Sequence, residues 1–98
     1  MSLPLVFQAG VRDDIDEAYD WYEKQRRGLG EDFLAAIQVV LDRIESTPEI
    51  HAPIYKAARQ GRLKRFPYAV YYRIEPDRIA VIAVHHSKRN PRIWQSRA

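Results

Sequence analysis

The feature that most constrains this chain is a change of hydrophobic period part-way along it. Val11, Ile15, Ala18, Tyr19 and Tyr22 recur at spacings of three and four, and so do Phe33, Ala36, Ile37, Val40, Leu41 and Ile44. Such stripes are the buried faces of amphipathic helices. From Tyr68 onward the period falls to two. Val70, Tyr72 and Ile74 face one way and Ala69, Tyr71 and Arg73 the other, as on a strand. "IAVIAV", residues 79–84, is apolar on both faces, as a central strand is. A chain patterned in this way folds as helices laid on a sheet.

The punctuation supplies the order. Leu3 to Phe7 reads as a short strand closed by Gly10. A helix is predicted over about 9–26, with carboxylates crowding its first turns and Lys24, Arg26 and Arg27 its last, which complements the helix dipole. "RRGLGED" breaks the period with two glycines, and a second helix then runs to about Thr47, before Pro48. So short a link predicts an antiparallel helical hairpin. "PEIHAPIYKAARQ" has two prolines and no clean period, and reads as an irregular connection. A strand is expected to start after Gly61 with "RLKRF", Pro67 marking its end, a bulge or an edge. "EPDR" fits a turn between the last two strands. The tail "RIWQSRA" is expected to form a turn of helix or to stay mobile over 91–98. The expected architecture is α+β, ordered β-α-α-β-β-β, with the helical hairpin packed on one mainly antiparallel sheet.

With 98 residues, a single domain over 1–98 with one modest core is expected. The absence of cysteine excludes a disulfide, a thiolate zinc site and a cysteine nucleophile. No apolar run approaches the ~18 residues of a membrane span. "MSLPLVFQAG" has neither the basic nor the apolar region of a signal peptide, so a cytoplasmic protein without membrane contact is expected. The net charge of +3 conceals an asymmetry. Residues 1–50 hold five Lys/Arg against eleven Asp/Glu, or −6, and residues 51–98 hold eleven against two, or +9. A basic half of this kind suits an anionic partner, although part of it can neutralise the acidic helices.

The candidate site residues lie in that basic half. Arg62 and Lys64 share one face of their segment, Arg65 takes the other, and Arg73 lies on the next strand. Strands sit about 4.8 Å apart, so the four can converge on one anion. Three readings follow: a solvated face, a protein-binding surface, or cations that stabilise charge on a phosphate. Lys88 and Arg89 extend the basic surface beyond the last strand. His85 and His86 point to opposite faces of that strand, so at most one serves a given site as acid or base, and no third ligand suggests a metal pair. Trp94 can stack on a base but cannot take a proton.

Four segments carry a resemblance: "AYDWYEKQRRGLGEDFLAAI", "DRIESTPEIH", "RFPYAVYYRIEPDRIAVIAVHH" and "KRNP". Together they resemble the ParE/RelE toxin superfamily of bacterial type II toxin–antitoxin systems, on its ParE-like side, over nearly all of residues 5–92. The most specific part is Arg65-Phe66-Pro67-Tyr68 with Tyr72-Arg73 and Val84-His85.

The resemblance implies a toxin that binds a protein target such as DNA gyrase and is wrapped by a cognate antitoxin, reaching operator DNA only through that antitoxin. On this reading there is no catalytic residue, no metal and no cofactor. Arg62, Lys64, Arg65, Arg73, Lys88 and Arg89 then form the target- or antitoxin-binding surface. RelE-like relatives instead cut ribosome-bound mRNA without metal. That alternative would make Arg62, Lys64, Arg65, Arg73, His85 and His86 the catalytic set. A third reading is an interaction module that keeps antitoxin binding but not toxicity. The tail offers no tyrosine or histidine, which favours the binding protein over the nuclease.

Overall fold

The computed structural model describes residues 3–98; Met1 and Ser2, which open the "MSLPLVFQAG" segment, lie outside the described residues. The elements are β1 (Leu5–Phe7), α1 (Val11–Gln25), α2 (Leu29–Ser46), a 3-10 turn (Pro48–Ile50), β2 (Pro53–Tyr55), β3 (Ala58–Arg62), β4 (Tyr68–Ile74), β5 (Ile79–His86) and α3 (Arg92–Gln95). One mixed sheet has the order β1-β5-β4-β3-β2. β1 runs parallel to β5 and the other pairs are antiparallel. The α+β class and the helical hairpin are as the periodicity predicts. No helix among the described residues is long and apolar enough to cross a membrane.

Three local expectations change. The link between the helices is only Arg26–Gly28, because α2 absorbs Leu29 and the residues after it. Gly28 sits at φ +90°, in the left-handed region that suits glycine, and turns the chain between the two helices. The Glu23 carboxylate, from α1, accepts from the amides of Gly28 (2.9 Å) and Gly30 (2.8 Å), which would otherwise be orphans at the start of α2. The "PEIHAPIYKAARQ" connection contains an edge strand, β2, three residues long and begun by a proline. It pairs with β3 only at Pro53–Arg59 and Tyr55–Ala58, too short a stretch for alternation to show. Finally, β3 ends at Arg62 rather than starting there. Residues 63–67 bend, with Arg65 at φ +67°, and Pro67 stands just before β4, where its missing N–H costs the ladder nothing.

The hairpin packs on one face of the sheet. Tyr22, Phe33, Phe66 and Tyr68 meet edge-on or tilted, at ring-centroid distances of 4.9–5.9 Å. Around them Val11, Ile37, Val40, Ile44, Val70, Tyr72, Ile79, Val81 and Val84 complete the core. The opposite face is not bare. The tail folds as α3, and Trp94 stacks on Tyr71 (4.3 Å, 13°) with Tyr55 edge-on to it at 5.8 Å. Ala58, Ala69, Ile82 and Ala83 fill this second cluster.

Gly30 offers a test of the hairpin. A Cβ there would stand 2.7 Å from Glu23 Cγ and 2.8 Å from the Tyr19 ring. Alanine gains roughly 1 kcal/mol of helix propensity, but overpacking and the loss of the Glu23 cap should outweigh it. Gly30→Ala is expected to lower stability by about 1–2 kcal/mol in a urea titration. A stabilised variant would show that this contact is loose.

Candidate interaction surfaces

The register shows where each candidate side chain goes. β4 and β5 run in step from Ile74–Ile79 to Tyr72–Val81, then resume at Tyr71–Ala83, so Ile82 is a bulge. The bulge reverses the alternation of β5. Ile79, Val81 and Val84 join the helix-side core, whereas Ile82 and Ala83 join the Trp94 cluster. His85, opposite Ala69, therefore lies on the Trp94 side, and His86, opposite Tyr68, on the helix side. The two histidines take opposite faces of the strand, yet both border the cleft at this end of the sheet, so the expectation that only one could serve a given site does not hold. Counting by twos from Val81 would have assigned their faces the wrong way round.

His85 is engaged. Its Nε2 lies 3.2 Å from the Asp14 carboxylate, which also accepts from the Val84 amide (3.1 Å) and from the two terminal guanidinium nitrogens of Arg97 (2.6 and 3.2 Å). Arg97 donates as well to the Ile82 carbonyl, 3.2 Å away. β1 covers β5 only through Val81, so Asp14 and Arg97 satisfy backbone groups that its open edge would leave unpaired. Burial by itself would raise the Asp14 pKa. Hydrogen bonds from His85, Arg97 and the Val84 amide outweigh it and hold the carboxyl below its ordinary value. His86 lies with its ring 5.5 Å from that of Tyr68, and its Nδ1 accepts from the Lys88 amide at 3.2 Å. Burial, then Arg89 and Lys88, lower its pKa. Around this end opens a cleft of about 520 Å³ that His85, His86, Arg89, Asp14 and Arg97 all border, with Trp21 and Ile93 among its apolar walls.

The cations do not converge. Arg62 lies in register with Ala69, and Arg73 follows four residues further along β4, about 13 Å away at strand rise. Arg73 donates to Glu75 (2.9 Å) and to the Arg97 carbonyl (3.3 Å). Arg62 and His85 flank Ala69 on one face, two strand spacings or about 10 Å apart. Lys64 and Arg65 leave the sheet in the bend and line, with Arg62, a groove against Asp32, Ala35, Ala36, Val39, Val40 and Arg43 of α2. Lys88 and Arg89 are exposed beyond the end of β5, and Arg89 borders the cleft. Trp94, a stacking candidate by sequence, is buried against Tyr71. Asp14, Glu23 and Arg97 were missed by sequence reasoning, since their partners are distant or across a turn and leave no periodic trace.

What the fold and these surfaces define is an α+β protein in which Arg62, Lys64 and Arg65 line one groove, while Asp14, His85, His86, Arg89 and Arg97 border another cleft. The family model described as "ParE toxin of type II toxin-antitoxin system, parDE" matches residues 5–91. Toxin ParE2 of Mycobacterium tuberculosis, from strains CDC 1551 / Oshkosh and ATCC 25618 / H37Rv, is 32% identical over 92 residues, covering 93% of this chain and 88% of the relative. Among solved structures, the chromosomal ParDE TA system from P. aeruginosa is similar in fold, with a TM-score of 0.65 over 86% of this chain and 95% of that one, at 18% identity. The chain belongs to the ParE toxin family of type II toxin–antitoxin systems.

Proposed function

We propose that this protein arrests bacterial growth by binding a protein target such as DNA gyrase, and that a cognate antitoxin neutralises it in the cytoplasm. The family match across residues 5–91 carries this reading. It is supported by the dispersal of the nuclease set: Arg73 is paired with Glu75, His85 with Asp14, and Lys64 and Arg65 stand off the sheet. A phosphoryl-transfer site needs its cations and base within reach of one phosphate. A binding surface has no such requirement. Operator DNA is reached through the antitoxin alone, and the whole chain acts as one toxin domain.

Induction of this chain without its antitoxin should stop colony formation. The purified protein should block gyrase supercoiling or stabilise the cleaved DNA complex, with ribosome-bound mRNA left whole. Unimpaired growth with soluble protein would overturn the toxin reading in favour of a non-toxic antitoxin-binding module. New codon-positioned mRNA ends by primer extension that vanish in His85→Ala/His86→Ala, with gyrase unaffected, would replace the gyrase reading by the nuclease.

A further inference from the structure

The cleft at the end of β5 gathers exposed apolar surface from two distant parts of the chain. Trp21 of α1 is 54% exposed and Ile93 of α3 is 56% exposed, and both line it. Tryptophan is among the side chains that carry most of the energy of protein interfaces. Here the indole stands edge-on to the buried Tyr22, at a ring-centroid distance of 5.1 Å, which fixes it before any partner arrives. Asp13 and Glu17 precede it at four-residue steps and line the same cleft, so the three form one stripe of α1 about 12 Å long. Arg89 borders the cleft from the segment after β5. Asp14, His85 and Arg97 are occupied with one another. Asp13, Glu17 and Arg89 are exposed and, among the described residues, in no ion pair.

We infer that this cleft docks a segment of the toxin's protein target that carries a lysine or arginine beside an apolar residue; the inference rests on the protein-target reading above. The stripe on α1 sets the charge of the occupant. A cation laid on the face of Trp21 is attracted by the ring and paired by Glu17, one turn away on the same helix face. Ile93 and the rest of the indole cover the apolar neighbour. Arg89 takes a carboxylate from the same segment. Because the two charged walls differ in sign, a segment laid in reverse sets like charges together, which fixes its direction. The cleft shares no lining residue with the groove of Arg62, Lys64 and Arg65, so either surface can be altered without touching the other. A nucleic acid fits less well. Trp21 offers a stacking face, but the phosphates that follow the base would meet two free carboxylates.

The test induces the full-length protein in bacteria without the antitoxin and counts colonies, and measures binding of the purified protein to purified gyrase by biolayer interferometry. Trp21→Ala should restore colony counts at least 100-fold and weaken gyrase binding at least tenfold. Glu17→Lys, a charge reversal at an exposed position that leaves the core untouched, should do the same even where Trp21→Ala loosens the packing on Tyr22. Lys24→Glu, a charge reversal on α1 outside the cleft, should behave as wild type. Thermal melts and soluble yields confirm that the variants fold. If folded Trp21→Ala and Glu17→Lys arrest growth and bind gyrase as wild type does, the target docks elsewhere and the inference falls while the protein-target reading stands. If wild-type protein does not arrest growth, both fall. If it arrests growth without binding gyrase, gyrase is not the target, and rescue of growth by both cleft variants alone decides the inference. If the variants stay toxic but turn a wild-type dimer into a monomer on a sizing column, or lose binding to a single-stranded oligonucleotide, the occupant is a second copy or a nucleic acid and the inference is overturned.

Discussion

Tyr72→Ala is expected to remove about 3–5 kcal/mol of stability, the range for truncating a large buried aromatic. Tyr72 is fully buried in the middle of the sheet, facing the helical hairpin. Its hydroxyl donates to the Pro48 carbonyl at 2.7 Å, tying β4 to the turn that follows α2. Burial raises the phenol pKa, so the donor stays protonated. Truncation therefore opens a cavity in the core and strands a carbonyl at once. Tyr72→Phe isolates the second effect and should cost about 1 kcal/mol. Arg62→Ala and Lys64→Ala, exposed and in no ion pair among the described residues, should stay within about 0.5 kcal/mol of wild type. Urea titrations of the four variants check the order. A Tyr72→Ala protein as stable as Lys64→Ala would mean that the hairpin does not pack on this face.

Asp14→Ala should come next, at about 3 kcal/mol, because it leaves a guanidinium, an imidazole and a backbone amide partly buried without their shared acceptor. Asp14 and Arg97 expose 10% and 27% of their side chains, so solvent screens the pair only in part. The same node sets an acid limb. The folded pKa of Asp14 is depressed, so its contribution is complete above the unfolded value of about 3.9 and is lost as pH falls through the lower folded value. Thermal midpoints of wild type should therefore fall as the pH drops below about 4. Those of Asp14→Asn should start lower and fall less over the same range. Parallel curves would show that the acid sensitivity lies in other carboxylates.

Both predictions rest on side chains that the sequence reveals unequally. The helices and the two long strands were legible because period is a local property, and the core faces of α1, α2 and β4 follow from it. β2 was not legible, since three residues beginning with proline are too few to alternate. The faces of His85 and His86 could not be read either. They depend on one extra residue, Ile82, that no turn or glycine announces. The cations were visible as composition. Their division into a groove, a pair with Glu75 and a distant end was not, because it depends on the bend at Arg65 and on a tail that folds back over the sheet. Asp14 and Arg97 lie 83 positions apart, and only folding makes them neighbours.

The parallel pairing of β1 with β5 also has a consequence for synthesis. Leu5–Phe7, which precedes both helices, acquires its partner only when residues 79–81 exist. The helical hairpin depends on local contacts and can assemble within microseconds of leaving the ribosome, while the first strand waits. The sheet closes last at its outer edge, and the Asp14 carboxylate gains its guanidinium only once Arg97 has been added. A nascent chain halted before residue 79 carries the helical layer without a closed sheet beneath it.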